Sequence, residues 1–480
     1  MRVNSQPVIE MGRLDWRLNA NSIKLNQNVP NKNMECSEMV ISTEMALLPA
    51  IPGIEHAKHI LHRLFRDFDG CLHIRLWDGS EVHLGRDHPA FSLTFRSSKA
   101  FQELILARDP LRLADSYFRG LIDIDGDFYS ALKLRHHLTS LRLSLIEKGT
   151  LAAKAFRIKS EKTATAGSSI SQWGKTFRQK LGIHPSKELN RDAISFHYDV
   201  SNDFYALWLD EQMVYSCAYY EAASQSLEQA QLNKLDHICR KLRLKPGERL
   251  LDIGCGWGAL ICWAAEHYGI TAHGITLSQN QYAHAQRMIK QRGLEQKVSV
   301  ELLDYRDLQG EARFDKLVSV GMFEHVGLKN LPNYFAIANR LLKPGGLFLN
   351  HGITSDEGGW KKTVSTEFIN RYIFPDGQLE TVSTVQKIME DACFEIHDVE
   401  GLRQHYALTL REWVKRLDEH HEEALQYVSE SVYRVWRLYM AACAMQFEEG
   451  NTGIYQILAS KRAPFSNPVP LTRRDLYRRS

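Results

Sequence analysis

The sequence has no apolar run approaching the roughly 20 residues that a bilayer-spanning helix needs, so any dealing with a membrane is expected from its surface. Its opening residues, MRVNSQPVIEMGRLDW, lack the apolar core of a signal peptide. Neither sign of charge dominates. Sixty Lys and Arg stand against 57 Asp and Glu, a formal +3, which leaves no electrostatic footprint for nucleic acid. The eight cysteines include no CxxC pair, so no zinc site is expected. In a chain of 480 residues they read as reduced, cytoplasmic thiols rather than a disulfide framework. The one glycine-rich turn is neither a G-x-G-x-x-G dinucleotide fingerprint nor a phosphate loop ending in Lys-Ser/Thr.

What is present divides the chain. At this length two or more domains are expected, and 44% hydrophobic residues suffice for ordinary cores. Residues 1–50 are polar, Asn-rich and without period, and read as a flexible segment. Residues 51–148 read as a small α+β domain. LHIRLWDGSEVHLG alternates around Asp78-Gly79 as a hairpin does, FSLTFR is a strand, and a helix is expected from about Tyr129 to Glu147. No cluster of catalytic residue types falls there, so a docking or folding role is expected.

Residues 149–190 are polar and cationic around TATAGSSIS, a linker composition. Lys154, Arg157, Lys159, Lys175, Arg178 and Lys180 are either solvated or a contact to acidic lipid, worth roughly 1 kcal/mol each near such a surface. From 191 to 480 strands and helices alternate, which predicts an α/β fold with a doubly wound parallel sheet. LKPGG at 342–346 reads as a helix stop and turn, and 410–447 as one long helical stretch before a final strand.

The turn LLDIGCGWGAL follows a buried strand and opens a helix. In a doubly wound sheet ligands sit beyond the carboxyl ends of the strands. Gly254, Gly256 and Gly258 let the backbone approach something closely, and Asp252 can attract an ammonium group. Tight glycine turns also serve packing alone. After the next strand, GITLSQNQ places Thr276, Ser278 and Gln281 where many nucleoside-binding folds hold a ribose. After the third, LLDYRDL places Asp304 to meet an adenine amino group and Tyr305 to cover its ring. Together these three strand ends describe a site for S-adenosylmethionine.

FHYDVSNDFYALWLD, MVYSCAYY, LLDIGCGWG, GITLSQNQ, SVGMFEHVG, NHGIT, RYIFPDGQLE, HYALTLREW and AACAMQF follow one another between about Ile194 and Lys461. In that order they resemble the cyclopropane-fatty-acyl-phospholipid synthases and their relatives, the mycolic acid cyclopropane synthases. The resemblance implies a Rossmann-like class I methyltransferase with a helical cap over an acyl tunnel, preceded by a small N-terminal domain. It implies donor contacts from Tyr215, Ser216, Gly254, Gly256, Thr276, Leu277, Gln281, Tyr305 and Arg306. It also implies a bicarbonate ion acting as base, held by Cys217, Glu324, His351, the backbone of Ile353 and Tyr406, with Cys443 as a further active-site residue.

The chemistry gives these residue types reasons. A cis alkene attacks the sulfonium methyl and leaves a carbocation. A base must then take one proton from the new methyl so that the ring can close. Negative charge held where positive charge develops meets that demand, and aromatic faces such as Phe204, Tyr372 and Phe374 are expected to help. Read without the family, Glu324 is a costly carboxylate after an apolar strand, whereas Cys217, Tyr406 and Cys443 are residue types common in cores. Asp376 departs from the family's turn, the N-terminal segment is longer, and the end LTRRDLYRRS is basic. The expected function is methylene transfer to phospholipid acyl chains by a peripheral, cytoplasmic enzyme for which a homodimer is open. The alternatives are methyl-branched lipid synthesis, amine N-methylation, and non-catalytic lipid binding.

Overall fold

The computed structural model describes residues 53–85, 88–107, 110–158, 200–359, 364–373, 378–465 and 468–477. The chain separates into Met1–Ala50 and Ile51–Ser480, and only the second unit contains described residues. Most of the basic stretch expected to meet lipid, from Lys159 to Lys180, lies outside them, as does Phe374.

The N-terminal part is a four-stranded sheet ordered β2–β1–β3–β4, from Leu72–Arg75 (β1), Glu81–Leu84 (β2), Phe91–Phe95 (β3) and Ile122–Gly126 (β4). The hairpin expected at Asp78-Gly79 forms, with Ser80 N donating to Asp78 Oδ1 at 3.0 Å. The single helix expected over 129–147 is two, Phe128–Ser140 and Leu145–Phe156. Ser144 and Glu147 form a reciprocal capping box, which satisfies the first backbone donors of a new helix and makes a restart favourable. Residues 149–156, read as the start of a linker, are therefore helical.

The larger sheet has seven strands in the order β10–β11–β9–β8–β5–β6–β7. They are Arg249–Ile253 (β5), Thr271–Thr276 (β6), Val298–Leu302 (β7), Phe314–Val320 (β8), Leu342–Ser355 (β9), Phe394–Gly401 (β10) and Thr452–Lys461 (β11). Strands β5 to β9 pair in parallel, while β11 runs antiparallel between β9 and β10. The turn expected at 342–346 is a bulge inside β9, where the pairing slips between Phe314↔Leu342 and Lys316↔Leu347. The helical stretch expected over 410–447 divides into Arg403–Glu419, His421–Ala424 and Glu430–Glu449, the last capped by Ser429.

Helix Glu430–Glu449 carries the N-terminal sheet. Arg434 meets Asp123 Oδ1 at 2.6 Å and donates to the carbonyls of Tyr117 and Ile122 at 3.0 and 3.2 Å. Arg437 stacks over Phe128 at 4.0 Å, and Tyr372 OH donates to Asp115. Removing Arg434 leaves buried Asp123 with fewer partners and takes one donor from each of the two carbonyls. Arg434→Met is expected to cost roughly 1–3 kcal/mol. Hydrogen exchange should show it as faster exchange in residues 110–126, with protection of β5 to β8 unchanged.

Candidate active site

Between β5 and β8 the strand order reverses, and the carboxyl ends of β5, β6, β7 and β8 open on one side of the sheet. This is the switch point at which open α/β sheets take ligands. Tyr215, Ser216, Asp252, Gly254, Gly256, Thr276, Leu277, Gln281 and Tyr305, all expected as donor contacts, line one cleft there. Gly254, Gly256 and Gly258 have φ of +87°, +55° and +95°. A Cβ on Gly256 would meet nothing within 4 Å, whereas one on Gly258 would sit 3.0 Å from Ala285 Cβ. Gly256 therefore faces the cleft, and Gly258 serves packing at the start of helix Ala259–Tyr268.

Three further donor expectations change. Asp304 caps the turn Tyr305–Asp307, and its carboxylate accepts from Arg306 N, Nε and Nη2 at 2.9, 2.9 and 2.6 Å. Two residues apart in so tight a turn, the two side chains hold each other, and neither borders the cleft. Ser278 caps helix Gln279–Gln291 instead of facing a ribose. Thr276 Oγ1 donates to Gln281 Oε1 at 2.7 Å, which fixes that amide.

Asp252 is buried, and its Oδ1 has no hydrogen-bond partner among the described residues. Burial pushes its carboxyl up to about 7, offset in part by Lys234. Lys234 is itself buried, donates to Ser216 Oγ at 3.0 Å, and is pulled down to about 8 by burial. A buried acid with a free oxygen beside glycine backbone fits the ammonium end of S-adenosylmethionine.

A second, larger cavity of about 1370 Å³ shares Tyr215, Ser216, Val320, Gly321 and His325 with the cleft. Glu324, Cys217, His351, Ile353, Tyr406 and Cys443 all border it, so the structure brings the six catalytic candidates to one space. Glu324 lies in the tight turn Phe323–His325 after β8 and is buried. Its Oε1 accepts the Ile353 N–H at 2.7 Å, while Oε2 has no partner among the described residues. Burial pushes the carboxyl up to about 7. Gly352 permits this approach, because a Cβ there would lie 2.1 Å from the Phe323 ring and 2.8 Å from Glu324 Oε1. The Ile353 N–H, expected to hold an anion, thus positions Glu324.

His351 sits on β9, buried and pulled down to about 3 by burial, hence neutral. Gln456 Nε2 approaches its Nδ1 at 3.2 Å. With that nitrogen accepting, the proton lies on Nε2, which has no partner among the described residues. Cys217 is a buried thiol pushed well up by burial, its Sγ 3.3 Å from the Ala218 carbonyl. Cys443 is likewise pushed up to about 12, which speaks against a thiolate at either position. Tyr406 projects from helix Arg403–Glu419 and packs against Phe447 with ring centroids 4.8 Å apart.

Of the aromatic residues expected near a cation, Phe204 turns inward on helix Asn202–Ala206 into the cluster of Tyr205, Trp208 and Trp436. Tyr372 packs on Phe118 and Phe368. Tyr215, Phe368, Tyr406, Tyr439 and Phe447 border the cavity instead. Lys234, His325 and Gln456 escaped the sequence reading. Lys234 had a signal: positions 227, 231, 234, 238 and 241 form one helical stripe, and Gln231, Lys234 and Lys241 are polar residues on that buried side. Elsewhere His73, Glu81 and His83 bring ligand atoms within 4.8 Å of one another. Their imidazoles stack at 4.4 Å and Glu81 is bonded to Arg75, so they pair across the hairpin.

A donor cleft at the glycine turn, opening on an apolar cavity with buried acid–base groups, defines a Rossmann-like methyltransferase that uses S-adenosylmethionine. The chain belongs to the mycolic acid cyclopropane synthetase family, whose model matches residues 185–457. A second model, described as a domain of unknown function, matches residues 58–138. The chain is 39% identical over 410 residues to a probable fatty acid methyltransferase of Pseudomonas putida, covering 85% of this chain and 96% of that protein. It is 42% identical over 266 residues to the cyclopropane-fatty-acyl-phospholipid synthase of Escherichia coli, covering 55% and 66%. The mycolic acid cyclopropane synthase CmaA1 complexed with SAH and CTAB superposes with a TM-score of 0.54 at 34% identity, over 58% of this chain and 99% of that one.

Proposed function

We propose that this protein transfers a methylene from S-adenosylmethionine across the cis double bond of an unsaturated phospholipid acyl chain, with bicarbonate as base. The observation that carries the reading is the adjoining of cleft and cavity. Tyr215, Ser216, Val320, Gly321 and His325 border both, so a methyl group held over the glycine turn would face an apolar chain in the cavity. S-adenosylmethionine, when bound, supplies an electrophilic methyl. Asp252 and the backbone at Gly254 and Gly256 would hold its amino-acid end, and Tyr305 its base.

His351 Nε2–H has no partner among the described residues and lies at the cavity that Tyr406 also borders, a setting suited to a small anion. The neutral Cys217 thiol closes the site without competing as a nucleophile. Glu324, titrating near neutrality, can receive at Oε2 the proton that bicarbonate removes from the substrate, while Ile353 keeps Oε1 in place. The cavity walls are mostly apolar, a lining that disfavours water beside a carbocation. Among the described residues no helix is long and apolar enough to cross a membrane, in keeping with access from the lipid surface.

The P. putida and E. coli relatives bear different names, so product identity is the decisive test. Lipids from cells expressing the protein are expected to gain 14 mass units per modified acyl chain and lose the corresponding double bond. A 14-unit gain with a methyl branch or an exocyclic methylene would replace cyclopropanation by another outcome of the same cation. Methylation of soluble amines alone would overturn the lipid reading.

A further inference from the structure

The large cavity does not stop at the catalytic residues. Its remote lining is drawn from the N-terminal sheet and its helices, including Leu93, Ile124, Leu104, Ile105 and Leu106. Leu104, Ile105 and Leu106 are successive residues of helix Ser98–Ala107, so they point about 100° apart. All three are half-buried and border the cavity, which makes the inner surface of this small domain apolar well beyond one core-facing stripe.

Leu141, Leu143 and Lys148 border the same cavity where it nears helix Leu145–Phe156. That helix is apolar on two sides. Leu151 and Ala155 face the core, while Leu145, Ile146 and Phe156 are 85%, 83% and 71% exposed. Ile146, Gly149, Ala153 and Phe156 continue one exposed stripe at helical spacing. A surface helix of a soluble domain ordinarily carries polar residues there. Arg142, Lys148, Lys154 and Arg157 flank the stripe. The helix's single acid, Glu147, is held by Arg63 and Ser144.

We propose that the outer face of helix Leu145–Phe156 seats in the surface of an anionic phospholipid bilayer, and that the acyl chain reaches Glu324 through the cavity of the N-terminal domain. Apolar side chains enter the interface while the flanking cations meet acidic head groups. The domain of unknown function is then the lipid-receiving half of the enzyme. The route rests on the function proposed above, whereas the docking does not.

The test uses the full chain and vesicles of equal parts phosphatidylglycerol and phosphatidylethanolamine. Leu145→Asp with Ile146→Asp alters the first two helical positions, where carboxylates suit the helix dipole, so the fold is expected to survive. Vesicle affinity is expected to fall at least about tenfold, given what burial of two such side chains is worth. High salt should weaken parent binding further. Affinity for S-adenosylmethionine and turnover of the same lipid in detergent micelles should not change. Undiminished vesicle binding would overturn the docking, as would a change of oligomeric state alone, which would make the face an interface between copies.

For the route, a phospholipid with a photoreactive acyl chain is expected to label peptides within residues 93–151 of the parent protein. Labelling confined to residues beyond 200 would overturn it. If the parent binds vesicles but transfers no methyl to lipid, the functional reading fails and the docking stands.

Discussion

Glu324→Gln is expected to lower turnover by roughly 10²–10³ while leaving affinity for S-adenosylmethionine nearly unchanged. Gln retains the shape and still accepts the Ile353 N–H, but nothing at the second position can take up a proton. The parent should lose activity as pH falls through about 7, because burial holds the Glu324 carboxyl near that value and only the ionised form accepts. The acidic limb should be absent from whatever activity the variant keeps.

Stability should move the other way. A carboxyl raised from 4.5 to about 7 by folding costs the folded state free energy as pH rises through that interval. Above pH 7 the variant should therefore melt higher than the parent, by a margin worth a few kcal/mol. Turnover within a few-fold of the parent, or a retained acidic limb, would remove Glu324 from the proton path.

The second large effect belongs to Gly256. Its missing Cβ faces open space in the cleft, so Gly256→Val puts a branched side chain where the ligand's amino-acid end would lie. Loss of detectable S-adenosylmethionine binding by calorimetry is expected. At φ of +55° the side chain also strains the backbone by about 1–2 kcal/mol, which should lower the melting temperature without unfolding the protein. Gly258→Ala is the contrast, since its Cβ would press on Ala285 3.0 Å away. It should lower the melting temperature and leave donor affinity of the folded protein intact. Normal binding by the Gly256 variant would mean that the turn does not hold the donor.

Much of this site was legible in the chain itself. Apolar strands that each end in a short polar or glycine-rich turn place those turns together whenever the strands are parallel, since every carboxyl end then lies on one edge. This is why Gly254, Gly256, Thr276, Gln281 and Tyr305 group together from the strand pattern alone. The order of the motifs, with Glu324 after β8 and His351 on β9, likewise marked the acid–base groups.

Tertiary packing decided the rest. Which atoms of a charged side chain stay free depends on neighbours remote in sequence or on the local turn. Asp304 is taken by Arg306, the Ile353 N–H by Glu324, and His351 Nδ1 by Gln456, 105 residues away. The same holds for ionisation, because desolvation is a property of the folded surroundings and brings Glu324 and Asp252 close to neutrality. Helix ends turned on caps such as Ser144 with Glu147, which outweighed an apolar pattern that read continuously across them. The largest difference concerns the N-terminal domain. Its own sequence shows an ordinary apolar core, yet that core opens into the cavity of Glu324, since an apolar residue looks the same in sequence whether it meets a neighbour or borders a space.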